Sequence, residues 1–306
     1  MKTKEFIINI YNWFFELPFV ANIRFKKNMD DKKYIEYLYK KRFGEYPNLD
    51  NPVNFNEKNN WRKLYDRNDL YTDLVDKYTI KKIIEQKLSK DNTFKLLGSW
   101  DTIDDIDISK LPTQFVLKVN HAGGVYICYD KNTFNLKKVK KLLRRDLHKN
   151  YFIRSREWPY KNVKRKIIAE QYMGENLLDY KNYCFNGKVQ YTFVWKNIKN
   201  EEGTKPKAFF CGAYNRMWEK IDLELDYPTM DIVIEKPKKY EEMIACSEVM
   251  SKDISFVRCD CYVINDFVYV GEMTFFPWGG FMKFKNKKWN NYFGSLEKLE
   301  NIPRQK

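Results

Sequence analysis

Two acidic residues lie where their neighbours make them costly. Asp260 and Glu272 fall in a stretch, residues 256–280, that is otherwise rich in Val, Tyr, Phe and Ile. It reads as a hairpin: two β-prone runs flank Asn265-Asp266, and Pro277 with Gly279 and Gly280 closes the second. Side chains two apart on a strand share a face, so Arg258, Asp260 and Tyr262 point one way and Cys259, Cys261 and Val263 the other. On the second strand Val270, Glu272 and Thr274 line up. A lone carboxylate in an apolar hairpin should meet a cation, and two oxygen ligands suit Mg²⁺. The plainer alternative is a half-exposed hairpin whose polar residues face water.

The metal reading also fixes a register. Directly opposed residues of an antiparallel pair share a face. A two-residue loop at Asn265-Asp266 in a regular ladder pairs Asp260 with Gly271 and sends Glu272 to the other side. For both carboxylates to meet one ion, the loop must hold an odd number of residues or the ladder must carry a bulge.

A second concentration of chemistry runs from Gln114 to Tyr129, where a strand leads through a glycine-containing turn into another strand. Val116, Lys118 and Asn120 share a face, so a lysine projects from an apolar strand and calls for an anion. Backbone amides at Ala122-Gly123-Gly124 could cradle phosphate, because glycine lets the chain approach a ligand closely. Neither G-x-x-x-x-G-K-[ST] nor G-x-G-x-x-G is present, which sets aside the Walker A loop and the dinucleotide fingerprint. A third stretch, residues 151–161, gathers Arg154, Arg156, Trp158, Tyr160 and Lys161, a composition suited to an acidic sugar through salt bridges and ring stacking.

The elements that must position these residues can be read from periodicity and punctuation. Residues 30–111 are mostly helical. Asn54 with Glu57 begins a capped helix, and Asp69 to Leu88 reads as a second, with Leu70, Leu74, Val75, Ile83 and Ile84 as its apolar stripe and Asp76-Lys77 inside it. Residues 137–147 form a basic amphipathic helix, and residues 237–252 another helix ahead of the opening hairpin. Asn186-Gly187, between two β-prone runs, is the favoured two-residue hairpin loop, and residues 196–207 are a polar loop.

With 306 residues, 43% hydrophobic and 17% aromatic, the chain is long enough for one large domain or two smaller ones. A net charge of +15 implies polyanionic partners: nucleic acid, phosphate-bearing substrates or an anionic membrane surface. Scattered lysines without finger spacing, RNP-like motif or internal repeat argue against nucleic acid. Six cysteines without C-x-x-C spacing point to a reducing compartment. No apolar run reaches the ~20 residues that cross a bilayer. Residues 6–17 are apolar and aromatic but lack a small-residue cleavage site, so no signal peptide is expected; with Arg24, Lys26 and Lys27 beside them they could lie on an anionic membrane or dock as a first helix.

The order of phrases along the chain resembles the ATP-grasp superfamily, and within it the TupA-like ATP-grasp family associated with teichuronopeptide and capsular polysaccharide synthesis. The phrases are Asn54-Phe-Asn-Glu-Lys58, Leu64-Tyr-Asp-Arg67, Leu74-Val-Asp-Lys-Tyr78, Phe115-Val-Leu-Lys-Val-Asn-His121, Arg156-Glu-Trp-Pro-Tyr-Lys-Asn162, Ile168-Ala-Glu170, Asp179-Tyr-Lys181, Cys184-Phe-Asn-Gly-Lys188 and Gly271-Glu-Met-Thr-Phe275. The resemblance implies an α+β ATP-grasp fold, two subdomains with antiparallel sheets clasping ATP behind a helical N-terminal region. Its divisions are a segment 1–28, helical residues 29–112, a lid subdomain 113–168 and a C-terminal subdomain 169–300 with the metal site. Lys77 and Lys118 are implied as the phosphate lysines and Gly123-Gly124 as the lid turn. Glu170, Gln171, Tyr172 and Met173 are implied as the hinge that reads adenine, with Asp179 toward the ribose and Lys181 beside it. Asp260 and Glu272 match the Mg²⁺ carboxylates, Thr274 stands where many relatives have a third ligand, and Arg258 adjoins the transferred phosphate.

The implied reaction is Mg²⁺- and ATP-dependent amide formation through an acyl phosphate on an uronic or related acidic sugar, free or lipid-linked, with an amine donor. The expected setting is the cytoplasm, with peripheral contact at the inner face of the membrane through residues 1–28. His121 is a candidate for substrate binding or proton acceptance, and Arg156, Trp158, Tyr160, Lys161, Gly279 and Gly280 are candidates for the sugar. A glycosyltransferase or sugar kinase of the same pathways, or a non-catalytic polyanion-binding protein, are the rival readings.

Overall fold

The structure, a computed structural model, describes residues 28–198, 207–300 and 302. The aromatic segment with its membrane contact, and most of the polar loop at 196–207, lie outside the described residues.

Two antiparallel sheets organise the chain. The smaller has β1 (Leu96–Trp100), β2 (Phe115–Val119), β3 (Val125–Cys128) and β4 (Ile167–Gln171), in the order β1-β4-β2-β3. The larger has β5 (Leu178–Phe185), β6 (Lys188–Ile198), β7 (Lys207–Asn215), β8 (Lys220–Ile221), β9 (Phe256–Ile264) and β10 (Phe267–Thr274), in the order β10-β9-β5-β6-β7-β8. Helices α1 (Asp31–Phe43), α2 (Phe55–Tyr65), α3 (Leu70–Val75) and α4 (Ile80–Lys87) precede them. The helices α5 (Leu136–Leu147) and α6 (Tyr151–Ser155) lie between β3 and β4, α7 (Tyr240–Met250) precedes β9, and α8 (Lys287–Leu296) follows β10. This is the α+β architecture with two antiparallel sheets that the family resemblance implies.

Alternation along the strands builds the core. Tyr183, Phe185, Phe193 and Phe256 pack from one face of the larger sheet against Phe55 of α2 and Phe293 of α8. Cys184, Val194, Cys259 and Cys261 pack from the other against Met243, Ile244 and Met250 of α7, with Leu74 and Ile84 of α3 and α4. Each fully buried Phe contributes about 1.5–3 kcal/mol. Arg258 and Asp260 continue the Phe256 face beyond this aromatic core. In the smaller sheet Phe115, Leu117 and Val119 bury against Val139 and Leu143 of α5, so the intervening Val116 and Lys118 face the opposite way. All six cysteines are free and buried.

Three local expectations meet the structure directly. Asn54 and Glu57 form the reciprocal capping box that starts α2. Asn186 and Gly187 adopt φ 51° and 75°, and Asn265 and Asp266 adopt φ 51° and 61°, so both hairpins close on two left-handed residues. The β9–β10 loop is therefore even, and the ladder shifts register between Val270 and Glu272, leaving Gly271 as a bulge and Glu272 opposite Asp260.

Two expectations need correction. The helix read over Asp69–Leu88 breaks into α3 and α4 at Asp76–Thr79. Asp76 leaves helical geometry at ψ 110°, its carboxylate accepts from Tyr78 N and from Asn120 Nδ2, and Lys77 N donates to Asn120 O. Tertiary bonds to a distant asparagine thus outweigh the helical periodicity, and Asp76 and Lys77 are buried. The smaller sheet also reaches outside the 113–168 division: β1 begins at Leu96, in the region read as helical, and β4 runs on to Gln171. Leu-Leu-Gly-Ser-Trp has no two-residue alternation to betray a strand, and all five residues are half-buried.

Candidate active site

A cleft of about 440 Å³ opens between the two sheets, and a second chamber of about 740 Å³ adjoins it. Lys77, Gly123 and Glu272 line both, so they mark the junction.

At the junction, charge is densely paired. Asp260 and Glu272 face one another across the bulge. Arg258 grips Asp260 with two bonds, Nε to Oδ1 at 2.5 Å and Nη2 to Oδ2 at 2.6 Å, and lies 3.7 Å from Glu272 Oε1. Lys77 Nζ meets Glu272 Oε2 at 2.7 Å. Lys181, directly opposite Asp260 on β5, reaches Asp260 at 2.7 Å and Asp179 at 2.5 Å. Burial opposes the charge on Glu272, but Lys77, Lys181 and Arg258 together hold its carboxyl well below the usual carboxylate range. Burial likewise opposes the charge on Lys77, and Glu272 overcomes it to raise the ammonium above its ordinary value.

Across the cleft, Lys118 of β2 bonds Glu170 of β4 at 2.5 Å, and Lys81 of α4 holds the other oxygen of the same carboxylate at 2.8 Å. Burial would raise Glu170; Lys118 and then Lys81 bring it below its ordinary value. Lys81 occupies an ordinary position in the helical stretch of the sequence, and only the fold brings it to Glu170. After Gln171 the chain leaves the sheet, and among the described residues the Met173 amide makes no hydrogen bond, so it is free to read a planar base. Val116, Ile127, Met173 and Leu177 supply apolar walls beside it. Asp179 lines the cleft with Oδ1 buried and without a partner, and burial pushes its carboxyl up to about 6. Gly123 leaves open space at the junction, whereas a side chain on Gly124 would collide with Asp146 of α5.

This arrangement fits a nucleotide with Mg²⁺. An orphaned carboxylate oxygen, a free amide and apolar walls suit a nucleoside, and paired lysines suit its phosphates. Among the described residues no cluster of three or more His, Cys, Asp or Glu side chains forms a metal cage. Two facing carboxylates in a phosphate-binding cleft are nonetheless the donor set Mg²⁺ takes, since it completes its shell with water and phosphate. Thr274, implied at the position of a third ligand, opposes Arg258 in the ladder, and its hydroxyl accepts from Arg258 Nη2 at 3.1 Å.

The remaining candidates divide. His121 lines neither cavity. It is buried, its ring nitrogens lie 3.3 Å from Asn120 Oδ1 and 3.1 Å from Lys149 O, and burial lowers its pKa to about 4, so it is a neutral packing residue rather than a proton acceptor facing substrate. Arg156, expected on the sugar, is 1% exposed; it pairs with Asp31 and stacks on Tyr34 of α1, with its guanidinium also donating to Met29 O. Trp158 and Lys161 stack on each other outside the chamber lining, whereas Tyr160 and Gly279 line it. Gly280 backs onto Lys63. The cations that do line the chamber are Arg258, Lys77, and the exposed Lys41, Arg42 and Arg154, the last three without an ion-pair partner among the described residues. Lys41 and Arg42 close α1 as ordinary C-terminal basic residues, a signal with no functional information in sequence.

Residues 57–298 match the family described as TupA-like ATPgrasp. No curated protein matches the chain. Among solved structures, it is similar to a D-alanine–D-alanine ligase from Bacillus anthracis complexed with ATP (20% identity, TM-score 0.39, 67% of this chain and 56% of that one). It is also similar to the VanG D-Ala:D-Ser ligase from Enterococcus faecalis (12%, 0.43, 68% and 54%) and to an L-amino acid ligase from Bacillus licheniformis (14%, 0.37, 66% and 40%). The chain spans only about half the length of these structures or less.

Proposed function

The chain belongs to the TupA-like ATP-grasp family, and from that premise we propose that it is a Mg²⁺- and ATP-dependent carboxylate–amine ligase that makes an amide on an uronic or related acidic sugar, free or lipid-linked, during surface polysaccharide synthesis. The observation that carries the reading is the junction itself. The facing Asp260 and Glu272, with Lys77 and Arg258, stand where the cleft meets a separate chamber whose lining includes Lys41, Arg42 and Arg154, which have no ion-pair partner among the described residues. A phosphoryl group held in the cleft would meet an anionic substrate held in the chamber.

Each residue has a physical task. Bound Mg²⁺ would supply charge neutralisation at the phosphates and be held by Asp260 and Glu272. Lys118 and Lys77 would turn from Glu170 and Glu272 toward phosphate oxygens, with Lys81 still holding Glu170 and the metal ion taking over Glu272. Arg258, fixed by Asp260 and Thr274, presents a rigid guanidinium at the chamber side of the junction, where the transferred phosphoryl group carries its charge. Lys41, Arg42 and Arg154 would hold the substrate carboxylate. The β2–β3 turn at Gly123 would cover the junction and keep water from the acyl phosphate. Such a reaction needs ATP and therefore the cytoplasm; among the described residues no helix is long and apolar enough to cross a membrane. Residues 1–28 are the part that would touch a membrane surface.

The test is incubation of the protein with MgATP, a panel of uronates and a panel of amines. ADP, phosphate and a condensed amide by mass spectrometry are expected. A phosphorylated sugar hydroxyl without amide would replace the ligase by a kinase on the same scaffold.

A further inference from the structure

Besides Glu272, the second chamber is lined by one further carboxylate. This is Glu157, at 7% exposure. Ser155 Oγ donates to its Oε1 at 2.6 Å, and among the described residues Oε2 has no hydrogen-bond or ion-pair partner. The buried Lys63 does not hydrogen-bond it: Lys63 Nζ donates instead to Asn60 Oδ1 at 2.8 Å and to Gly279 O at 2.5 Å. Gly279 lies against the carboxylate, at φ 64°, where a Cβ would stand 3.5 Å from Glu157 Oε1. Burial raises Glu157 above the ordinary carboxyl value, and Lys63 and Arg154 offset this only through space.

The Glu157 side chain is buried but its idle Oε2 is not sealed off, so this oxygen opens on the chamber and is available to a charged partner there. A neutral hydroxyl would bond that oxygen but leave the charge uncompensated. A primary ammonium supplies both donors and charge, and the aromatic side chains Tyr160 and Trp278 also line the chamber. The anionic co-substrate is drawn to Lys41, Arg42 and Arg154 instead, so the two partners are sorted by charge.

We propose that Glu157 is the ammonium-binding residue of the second chamber, taking the amino group of a primary-amine substrate, holding it on the wall that leads to Arg258 and Glu272, and accepting its proton so that the neutral amine attacks the acyl phosphate and phosphate leaves. The inference rests on the ligase reading. It assigns to the amine a site separate from that of the carboxylate.

The test compares wild type, Glu157→Gln and Glu157→Asp at pH 7.5 with MgATP and glucuronate or galacturonate. Glutamine keeps the volume and an oxygen for Ser155, so folding should survive, checked by circular dichroism. Hydroxylamine, uncharged at this pH, traps an acyl phosphate as hydroxamate without needing an ammonium site. Ethanolamine, glycine and glucosamine probe the charged amine. The expected result is hydroxamate formation by Glu157→Gln within about twofold of wild type, a KM for the charged amine raised at least about tenfold, and partial recovery in Glu157→Asp. An unchanged amine KM, an equal fall in both reactions, or wild-type hydroxamate with no amide from any of the three amines overturns the ammonium site. No hydroxamate from wild type with either uronate overturns the ligase reading, and the ammonium site with it.

Discussion

Replacing His121 separates a structural imidazole from a catalytic one. In the native protein burial lowers its pKa to about 4, against an ordinary value of 6.5. The sign follows from which state takes up the proton. Between those two values the unfolded chain is protonated and the native state is not, so stability is complete above pH 6.5 and falls as pH drops toward 4. At pH 5 the unfolded imidazole is almost wholly charged and the native one only about one-tenth charged, so this group alone costs about 2 kcal/mol relative to pH 7.5. Other buried groups titrate over the same range, and the comparison with His121→Gln removes them. Urea unfolding of both proteins at pH 7.5 and pH 5 should show a pH-dependent loss smaller by about 2 kcal/mol in the variant. ATP turnover at pH 7.5, scaled to the folded fraction, should persist. An identical loss in both proteins would mean that the imidazole titrates normally. Abolished turnover in a folded variant would return His121 to the chemistry.

Other perturbations test how the site is held. Arg62 of α2 lies 2.6 Å from Glu297 with both side chains fully buried, and its guanidinium donates to Phe256 O and Phe275 O at the open ends of the site hairpin. Arg62→Met should cost about 3–5 kcal/mol by chemical denaturation, since it strands a buried carboxylate and two carbonyls; a cost below 1 kcal/mol would refute the clip. Gly124→Ala should destabilise the smaller sheet, because the new Cβ would overlap the Asp146 carboxylate that receives the Tyr126 hydroxyl. Gly123→Ala, at a position with open space, should leave thermal stability close to wild type, and equal melting of the two variants would contradict the packing described. Arg154→Ala should raise KM for the uronate without weakening ATP binding measured by calorimetry, whereas a parallel loss of both would place Arg154 outside the chamber's task.

How much of this was legible in the residues depends on where each constraint originates. The turns at Asn186-Gly187 and Asn265-Asp266 and the capping box at Asn54 and Glu57 are local, and sequence suffices for them. The bulge at Gly271 was legible only conditionally: if Asp260 and Glu272 serve one ion, an even loop demands an extra residue, and Gly271 is that residue. Lys77 was recoverable by resemblance but not by periodicity, because the helix break that frees it is written by Asn120 from the other subdomain. Arg156 misled for the converse reason. Its loop looks like a surface, yet Asp31 and Tyr34 arrive from α1 to bury it. Lys41 and Arg42 carry no signal in one dimension, Glu157 enters only as one letter of a family-like phrase, and it is the fold that brings the three to one chamber.

The central claim is that Asp260 and Glu272 form one Mg²⁺ site at the junction of nucleotide cleft and substrate chamber. Its most direct test is a Mg²⁺ titration of uronate-dependent ADP release by wild type and Glu272→Gln, which keeps an oxygen for Lys77. The account predicts a folded variant whose turnover falls about a hundredfold or more, the scale of losing several kcal/mol of charge stabilisation. Wild-type turnover and an unchanged Mg²⁺ dependence in Glu272→Gln would contradict it.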